Sequence, residues 1–431
     1  MRIAVVWLRR DLRIQDNRAL ISALKSGLPV LPLFIFDNTI LQELPLDDSR
    51  VSFIYKTLKN IHDKLVEKGG FLLCLKGNPL EAWEQLLSKY DIAEVFINKD
   101  YEPYALKRDE TIKTFLNNKG IKLLAYKDQV IFEQSEILKN DSKPYTVFTP
   151  YKKKWLQNFE NKMAHNENQI DFANLYHGTH KMPSLSDIGF QQSTLKVKEY
   201  SLSNLDNYEI SRNFPAYETT HLGPHLRFGT VSIRQVISQL KPSHEVFLSE
   251  LIWREFFMQI LFHFPKVVNQ NFKSQYNGIE WRNNEDEFKL WCKGETGYPM
   301  VDAGMRELNA TGYMHNRVRM VTAGFLTKHL LIDWRWGEAY FAEKLLDYEL
   351  SSNNGNWQWA AGTGCDSAPY FRIFNPQEQL KKFDKELKYI KKWVPEYGSK
   401  DYIEPIIEHK IARQRALSVY KNGLTIKKSS Y

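Results

Sequence analysis

Residues 350–376 read LSSNNGNWQWAAGTGCDSAPYFRIFNP. Trp357 and Trp359 stand there between amide-rich and small residues. Asn and Gly favour turns and local backbone hydrogen bonds, whereas Trp calls for burial with its indole N–H paired. The stretch is therefore expected to be neither plain helix nor plain strand but the wall of a binding site. The competing reading is a tight turn capped by core aromatics.

The sequence from Leu205 to about Tyr397 is dominated by helical periodicity and holds most of the tryptophans. Within it, Glu250, Trp253, Arg254 and Phe257 are spaced i, i+3, i+4 and i+7, so on a helix they share one face. A carboxylate, an indole and a guanidinium on one stripe can grip a flat polar ligand, or form a surface Glu250–Arg254 pair beside a core ring. The run YMHNRVRM at 313–320 carries two arginines; one suits a phosphate and the other an acid such as Asp347. The run TTHLGP at 219–224 precedes an expected helix and offers hydroxyls and free N–H groups to phosphates, or an ordinary N-cap and turn.

Toward the N-terminus, short β-branched runs alternate with amphipathic ones. Strands are expected at 3–7, 30–36, 71–75, 95–98 and 122–126, and helices at 17–25, 49–68, 79–89 and 105–118. This alternation predicts a doubly wound, Rossmann-like α/β domain with a parallel sheet covered on both faces. LRRDLR follows the first strand in place of G-x-G-x-x-G, which argues against a dinucleotide bound in the usual Rossmann manner. The looser, Lys-rich sequence that follows, with PYKKKW at 150–155, reads as a connection. The expected division is an α/β domain over 1–130, a connection over 131–204 and an all-α domain over 205–431.

A length of 431 residues suits two domains, and a net charge of +8 permits an anionic partner without demanding one. Cys74, Cys292 and Cys365 are few, odd in number and widely spaced. They point to a reducing compartment and to no metal site. The apolar run in MRIAVVWLRRDLR is too short for a signal or membrane segment, so a cytoplasmic protein without membrane contact is expected.

Taken in order, WLRRDLR, ELIWREF, GYPMVDAGMRELNATGYMHNRVRM, LLIDW and NNGNWQWAAGTGCDSAPYFRIFNP resemble the motifs of the DNA photolyase and cryptochrome family over nearly the whole chain. The likeness is nearest to its bacterial cyclobutane pyrimidine dimer enzymes of the class I type. It implies an antenna-type α/β domain followed by a helical domain that holds folded FAD. Tyr208, Thr219, Thr220, His221, Leu222 and Gly223 match positions around the flavin phosphates. Asn316, Arg319, Asp347, Tyr348, Glu349 and Asn353 match further flavin-contacting positions, Asn353 being the one beside the isoalloxazine N5. Trp357, Trp334 and Trp281 match the chain that carries electrons to photoexcited oxidised flavin.

The resemblance also implies light-driven repair of cyclobutane pyrimidine dimers in UV-damaged DNA, by a monomer with no obligate protein partner. Glu250 matches the carboxyl that bonds the lesion, and Trp253 and Trp359 the rings that stack on it. Arg254, Phe257, Asn316, Arg317, Met320, Arg372 and Gln379 match other lesion or strand contacts. Where a common bacterial pattern has Asp-Gly-Asp this chain has Asp347-Tyr348-Glu349, and Asn356 stands at a usual glycine. A second, antenna chromophore is left open in identity, since Tyr104 and Ala105 replace a polar and an acidic residue of folate-binding members. Two other readings compete: a cryptochrome-type photoreceptor, against which stand Asn353 and the short basic tail expected at 403–431, and a colourless basic nucleic-acid-binding protein.

Overall fold

The computed structural model describes residues 1–165, 167 and 169–426. They form two compact units.

Unit 1 comprises Met1–Glu136, Leu156–Tyr200 and His221–Pro242. Its strands are β1 (Ile3–Leu8), β2 (Val30–Asp37), β3 (Leu73–Gly77), β4 (Ile92–Asn98) and β5 (Lys122–Tyr126), and they pair in parallel in the order β3-β2-β1-β4-β5. The helices between them are α1 (Arg18–Leu24), α2 (Ser49–Val66), α3 (Pro79–Lys89) and α4 (Pro103–Asn117). Central β1 is buried at every position, as a strand covered on both faces must be. Its period of two divides the core: Ala4, Val6 and Leu8 pack with α1 and α2, while Ile3, Val5 and Trp7 pack with Trp83 of α3 and Ile112 of α4. Asn17, Asp48 and Asn78 cap three of the helices, and prolines open α3 and α4.

A buried ionic knot stitches residues of His221–Pro242 to this unit. Arg13 donates to both oxygens of Asp128 at 2.7 Å, and Arg234 reaches Asp128 at 2.6 Å and Asp16 at 2.9 Å. Burial pushes the Asp128 carboxyl up, but Arg13 and Arg234 outweigh it and hold the pKa below the ordinary value.

Unit 2 comprises Ile137–Trp155, Ser201–Thr220 and Ser243–Tyr431 and is helical. The helices used below are α5 (Phe148–Asn158), α6 (Glu245–His263), α7 (Asn316–Gly324), α8 (Trp334–Lys344), α9 (Leu350–Ala361) and α10 (His409–Ile426). Its main core gathers Trp291, Trp334 and Trp357 with Phe325, Phe341 and aliphatic neighbours.

Three expectations are corrected. The connection foreseen over 131–204 is shared between the units, because its Lys-rich surface hides anchors: Leu175 is buried beside Val30, and Tyr151 and Trp155 are buried within unit 2. The amide-rich stretch is a regular helix, α9, up to Ala361. The region 403–431 is no mere tail; α10 buries Ala412, Ala416 and Tyr420, and Arg415 donates to His329 O at 2.6 Å. Lys427 and Lys428 of that expected tail lie outside the described residues.

Candidate functional site

Helix α9 forms against its own propensity because its buried amide side chains, those of Asn353, Asn354 and Gln358, bond to other segments. Asn354 and Gln358 both donate to Val267 O at 3.0 Å. Asn353 Nδ2 donates to Glu338 of α8, at 2.9 Å to Oε1 and 3.1 Å to the backbone oxygen. Gly355 is required by packing: a Cβ there would stand 2.2 Å from the Phe257 ring of α6. Tertiary contacts decide over local preference.

A cavity in unit 2 opens between α7, α9 and the turn joining α8 to α9. Among the residues matched to flavin contacts, Asn316, Arg319, Asp347, Tyr348, Glu349 and Asn353 all line it. Its apolar wall comes from Met320, Ala323, Phe341, Leu345, Trp357 and Ala360. Arg319 forks onto Asp347 at 2.9 and 3.1 Å while its Nε donates to Met314 O, so the expected arginine–acid pair forms. Glu349 accepts from Arg254 at 3.2 Å. Such a slot, with an apolar wall and amide, guanidinium and carboxylate groups converging on it, suits a flat heteroaromatic group with hydrogen-bonding edges.

Other matched positions lie elsewhere. Tyr208 sits on the short helix Tyr208–Ser211 of unit 2, its ring edge-on to Phe247, and burial with the nearby Glu250 pushes its phenol up to about 12. Thr219 and Thr220 belong to unit 2, whereas His221, Leu222 and Gly223 belong to unit 1, at the start of the helix Leu222–Phe228.

On the stripe of α6, Glu250 pairs with Arg212 at 2.7 Å rather than with Arg254. The spacing did not reveal Arg212, although Tyr208 and Arg212 stand at i, i+4 and the guanidinium lies 5.6 Å from the Tyr208 ring. Trp253 is half-buried beside Phe148. Phe257, expected at the lesion, is buried against Gly355 and serves the α6–α9 contact instead. Arg254, expected on the same face, turns to Glu349 of the cavity wall. Met320 and Trp359 line the cavity. Arg317 donates to Asn213 at 2.6 Å and lies 4.4 Å from the Phe383 ring, Arg372 is exposed and Gln379 is half-buried. His315 caps α7 by accepting from Arg317 N; burial and the charges of Arg319, Arg317 and Arg212 lower its pKa to about 4.

Trp357 and Trp334 share the main core, with Trp281 half-buried against it. Gly337, one turn beyond Trp334, lets the Trp357 ring close in; a Cβ there would stand 2.1 Å from it. The Trp357 ring also meets Trp291 at 6.1 Å, and Trp281 is edge-on to Tyr420 at 6.0 Å.

Unit 1 has a separate cavity of about 160 Å³ lined by Phe34, Phe36, Asp37, Asp100, Tyr104, Ala105, Arg108 and Arg227, among others. Burial pushes the Asp100 carboxyl up, but Arg10, Arg108 and Arg227 bring it down to about 2.

Two family models match the chain: one described as DNA photolyase over residues 4–169, the other as FAD binding domain of DNA photolyase over residues 247–399. A deoxyribodipyrimidine photo-lyase of Halobacterium salinarum is 34% identical, with 97% of this chain and 98% of that protein covered. The chain belongs to the DNA photolyase family. Among solved structures of the family, a bacterial class III photolyase from Agrobacterium tumefaciens superposes with a TM-score of 0.88 at 33% identity, covering 99% of this chain and 98% of that one. An archaeal photolyase from Sulfolobus tokodaii, solved with two FAD molecules, does so with a TM-score of 0.85 at 33% identity, covering 97% and 99%. The second matched model thus covers the photolyase cavity just described, and the residues there fit FAD. No helix among the described residues is long and apolar enough to cross a membrane.

Proposed function

We propose that this chain is a deoxyribodipyrimidine photo-lyase that splits cyclobutane pyrimidine dimers in duplex DNA. The observation that carries the reading is a single cavity lined together by the amide of Asn353, the Arg319–Asp347 pair and the Trp359 ring. Asn316, Arg319, Asp347, Tyr348, Glu349 and Asn353 would hold FAD there, which in its reduced form would supply light-driven electron donation to the dimer.

The chain's own residues hold the substrate and set its surroundings. Photolyases are a known case of enzymes that take their target out of the base stack. Trp253 and Trp359 offer flat apolar faces to the extruded bases. Glu250, paired with Arg212 at 2.7 Å, places a carboxylate beside them. Arg317, Arg372 and Gln379 meet the damaged strand, so binding weakens as salt rises. No proton donor stands where a (6-4) photoproduct would need one: Asn316 and Met320 are not acids, and the lowered pKa of His315 leaves it neutral at pH 7.

The unit 1 cavity is our site for a second chromophore of open identity, not a folate held in the usual manner, since Tyr104 and Ala105 line it. We place the protein in the cytoplasm as a monomer. The test is to extract and identify the chromophores, then follow light-dependent loss of dimers from irradiated plasmid. Flavin together with repair supports the reading. Flavin without repair favours the photoreceptor, and a colourless protein the simple nucleic-acid binder.

A further inference from the structure

Phe148 lies flat on Trp253, with ring centroids 3.7 Å apart and planes 8° from parallel. The other rings around that indole are edge-on or tilted: Phe256 at 80° and Phe257 at 31°. Trp253 is only half-buried, so part of the indole stays accessible although Phe148 covers one face.

The element that carries Phe148 is fixed at several points. Phe148, Tyr151 and Trp155 recur at i, i+3 and i+7, on one face of α5, and all three are buried. Tyr151 and Trp155 both donate to Glu255 of α6, at 3.3 and 2.7 Å, and that carboxylate is itself buried. A buried carboxylate is costly unless hydrogen-bonded, so these donors tie α5 firmly to α6. At the other end, Phe148 N donates to Asp366 Oδ2 at 3.0 Å. The covering ring therefore cannot drift from the indole.

We propose that Phe148 is a positioning residue that holds Trp253 in one orientation and so preforms the stacking platform for the extruded lesion. The inference rests on the assignment of Trp253 to the lesion. A loose indole would have to be immobilised on binding, which lowers affinity, whereas one already held flat does not. Pairing with Phe148 also leaves a single apolar face for the bases, so the effect is confined to substrates that stack there.

The test compares Phe148→Leu, Phe148→Met, Phe148→Tyr and Trp253→Leu in the FAD-loaded protein. Dissociation constants are measured for a duplex with one cyclobutane dimer and for the same duplex undamaged, at one salt concentration, together with repair yield per bound dimer and the thermal midpoint. Phe148→Leu and Phe148→Met are expected to weaken dimer binding about tenfold, which is about 1.4 kcal/mol. Binding to undamaged duplex and yield per bound dimer stay near wild type, the thermal midpoint falls only modestly as for any trimmed buried ring, and Phe148→Tyr restores dimer binding. Equal losses on both duplexes with a lowered midpoint would make Phe148 merely structural and overturn the inference. If Trp253→Leu loses dimer preference while Phe148→Leu and Phe148→Met keep it, the inference fails and the lesion assignment stands. If Trp253→Leu keeps the preference, the lesion assignment fails and the inference with it.

Discussion

The side-chain nitrogen of Asn353 donates twice to Glu338, to the carboxylate at 2.9 Å and to the backbone oxygen at 3.1 Å. The amide is thereby oriented, and its oxygen is left for the cavity that Asn353 lines. Burial raises the Glu338 pKa, opposed by the bond from Asn353. In the proposed flavin site the pair would set which amide atom faces the flavin edge, and an oxygen there would favour a protonated N5.

Replacing Glu338 by Leu removes the 2.9 Å bond and leaves the amide held only by the backbone oxygen of residue 338. Reduced flavin in that variant is expected to reoxidise in air about fivefold faster than in wild type, since one oriented hydrogen bond contributes about 1 kcal/mol. Glu338→Gln, which keeps an acceptor, should stay close to wild type. The loss of reduced flavin absorbance with time distinguishes them; equal rates in wild type and Glu338→Leu would show that the pair does not orient the amide.

Trp281→Phe should block light-driven reduction of oxidised FAD and spare repair by chemically reduced protein, because the two processes use different electron routes. Steady illumination of the oxidised variant, read by its visible spectrum, is the check. Reduction at the wild-type rate would remove Trp281 from the route.

At the α6 stripe, Trp253→Ala is expected to weaken dimer binding by about 1–3 kcal/mol, the worth of one stacked base. Glu250→Ala should instead lower the repair yield, and it leaves Arg212 without its 2.7 Å partner. Titration at fixed salt separates affinity from yield; a Trp253→Ala variant with unchanged dimer affinity would count against the platform.

The docking of α10 supplies a pH dependence. His329 Nε2 and His409 Nδ1 lie 2.8 Å apart, and burial with the nearby His409 and Arg415 lowers the His329 pKa to about 3. The folded state holds this imidazole neutral, whereas the unfolded chain protonates it near pH 6.5. Its contribution to stability is therefore present above about pH 6.5 and lost progressively as pH falls toward 3. The thermal midpoint should drop between pH 7.5 and 5, and less so in His329→Leu; identical slopes would remove His329 as the cause.

The parallel sheet was legible because β1 and its neighbours are apolar runs bounded by Asn, Asp and Pro caps, signals that act within a few residues. Helix α9 was not, because what overrides its Asn and Gly content lies far away in sequence: Val267 for Asn354 and Gln358, and Phe257 for Gly355. The Arg319–Asp347 pair could be anticipated from residue chemistry, as a guanidinium seeks a carboxylate. The partner of Glu250 could not, since Arg212 is the C-cap of a four-residue helix that no periodicity marks. Nor could the Lys-rich run at 150–155 reveal that Tyr151 and Trp155 converge on Glu255, a contact spanning about a hundred residues.

The most direct test of the account is to illuminate the reduced, FAD-loaded protein with two duplex oligonucleotides, one carrying a single cyclobutane dimer and the other a single (6-4) photoproduct, and to resolve the products by chromatography. The account predicts that blue light restores the dimer substrate and leaves the (6-4) substrate unchanged, because neither Asn316 nor Met320 can donate a proton and His315 is held neutral with a pKa of about 4. Restoration of the (6-4) substrate, or failure to restore the dimer, would contradict it.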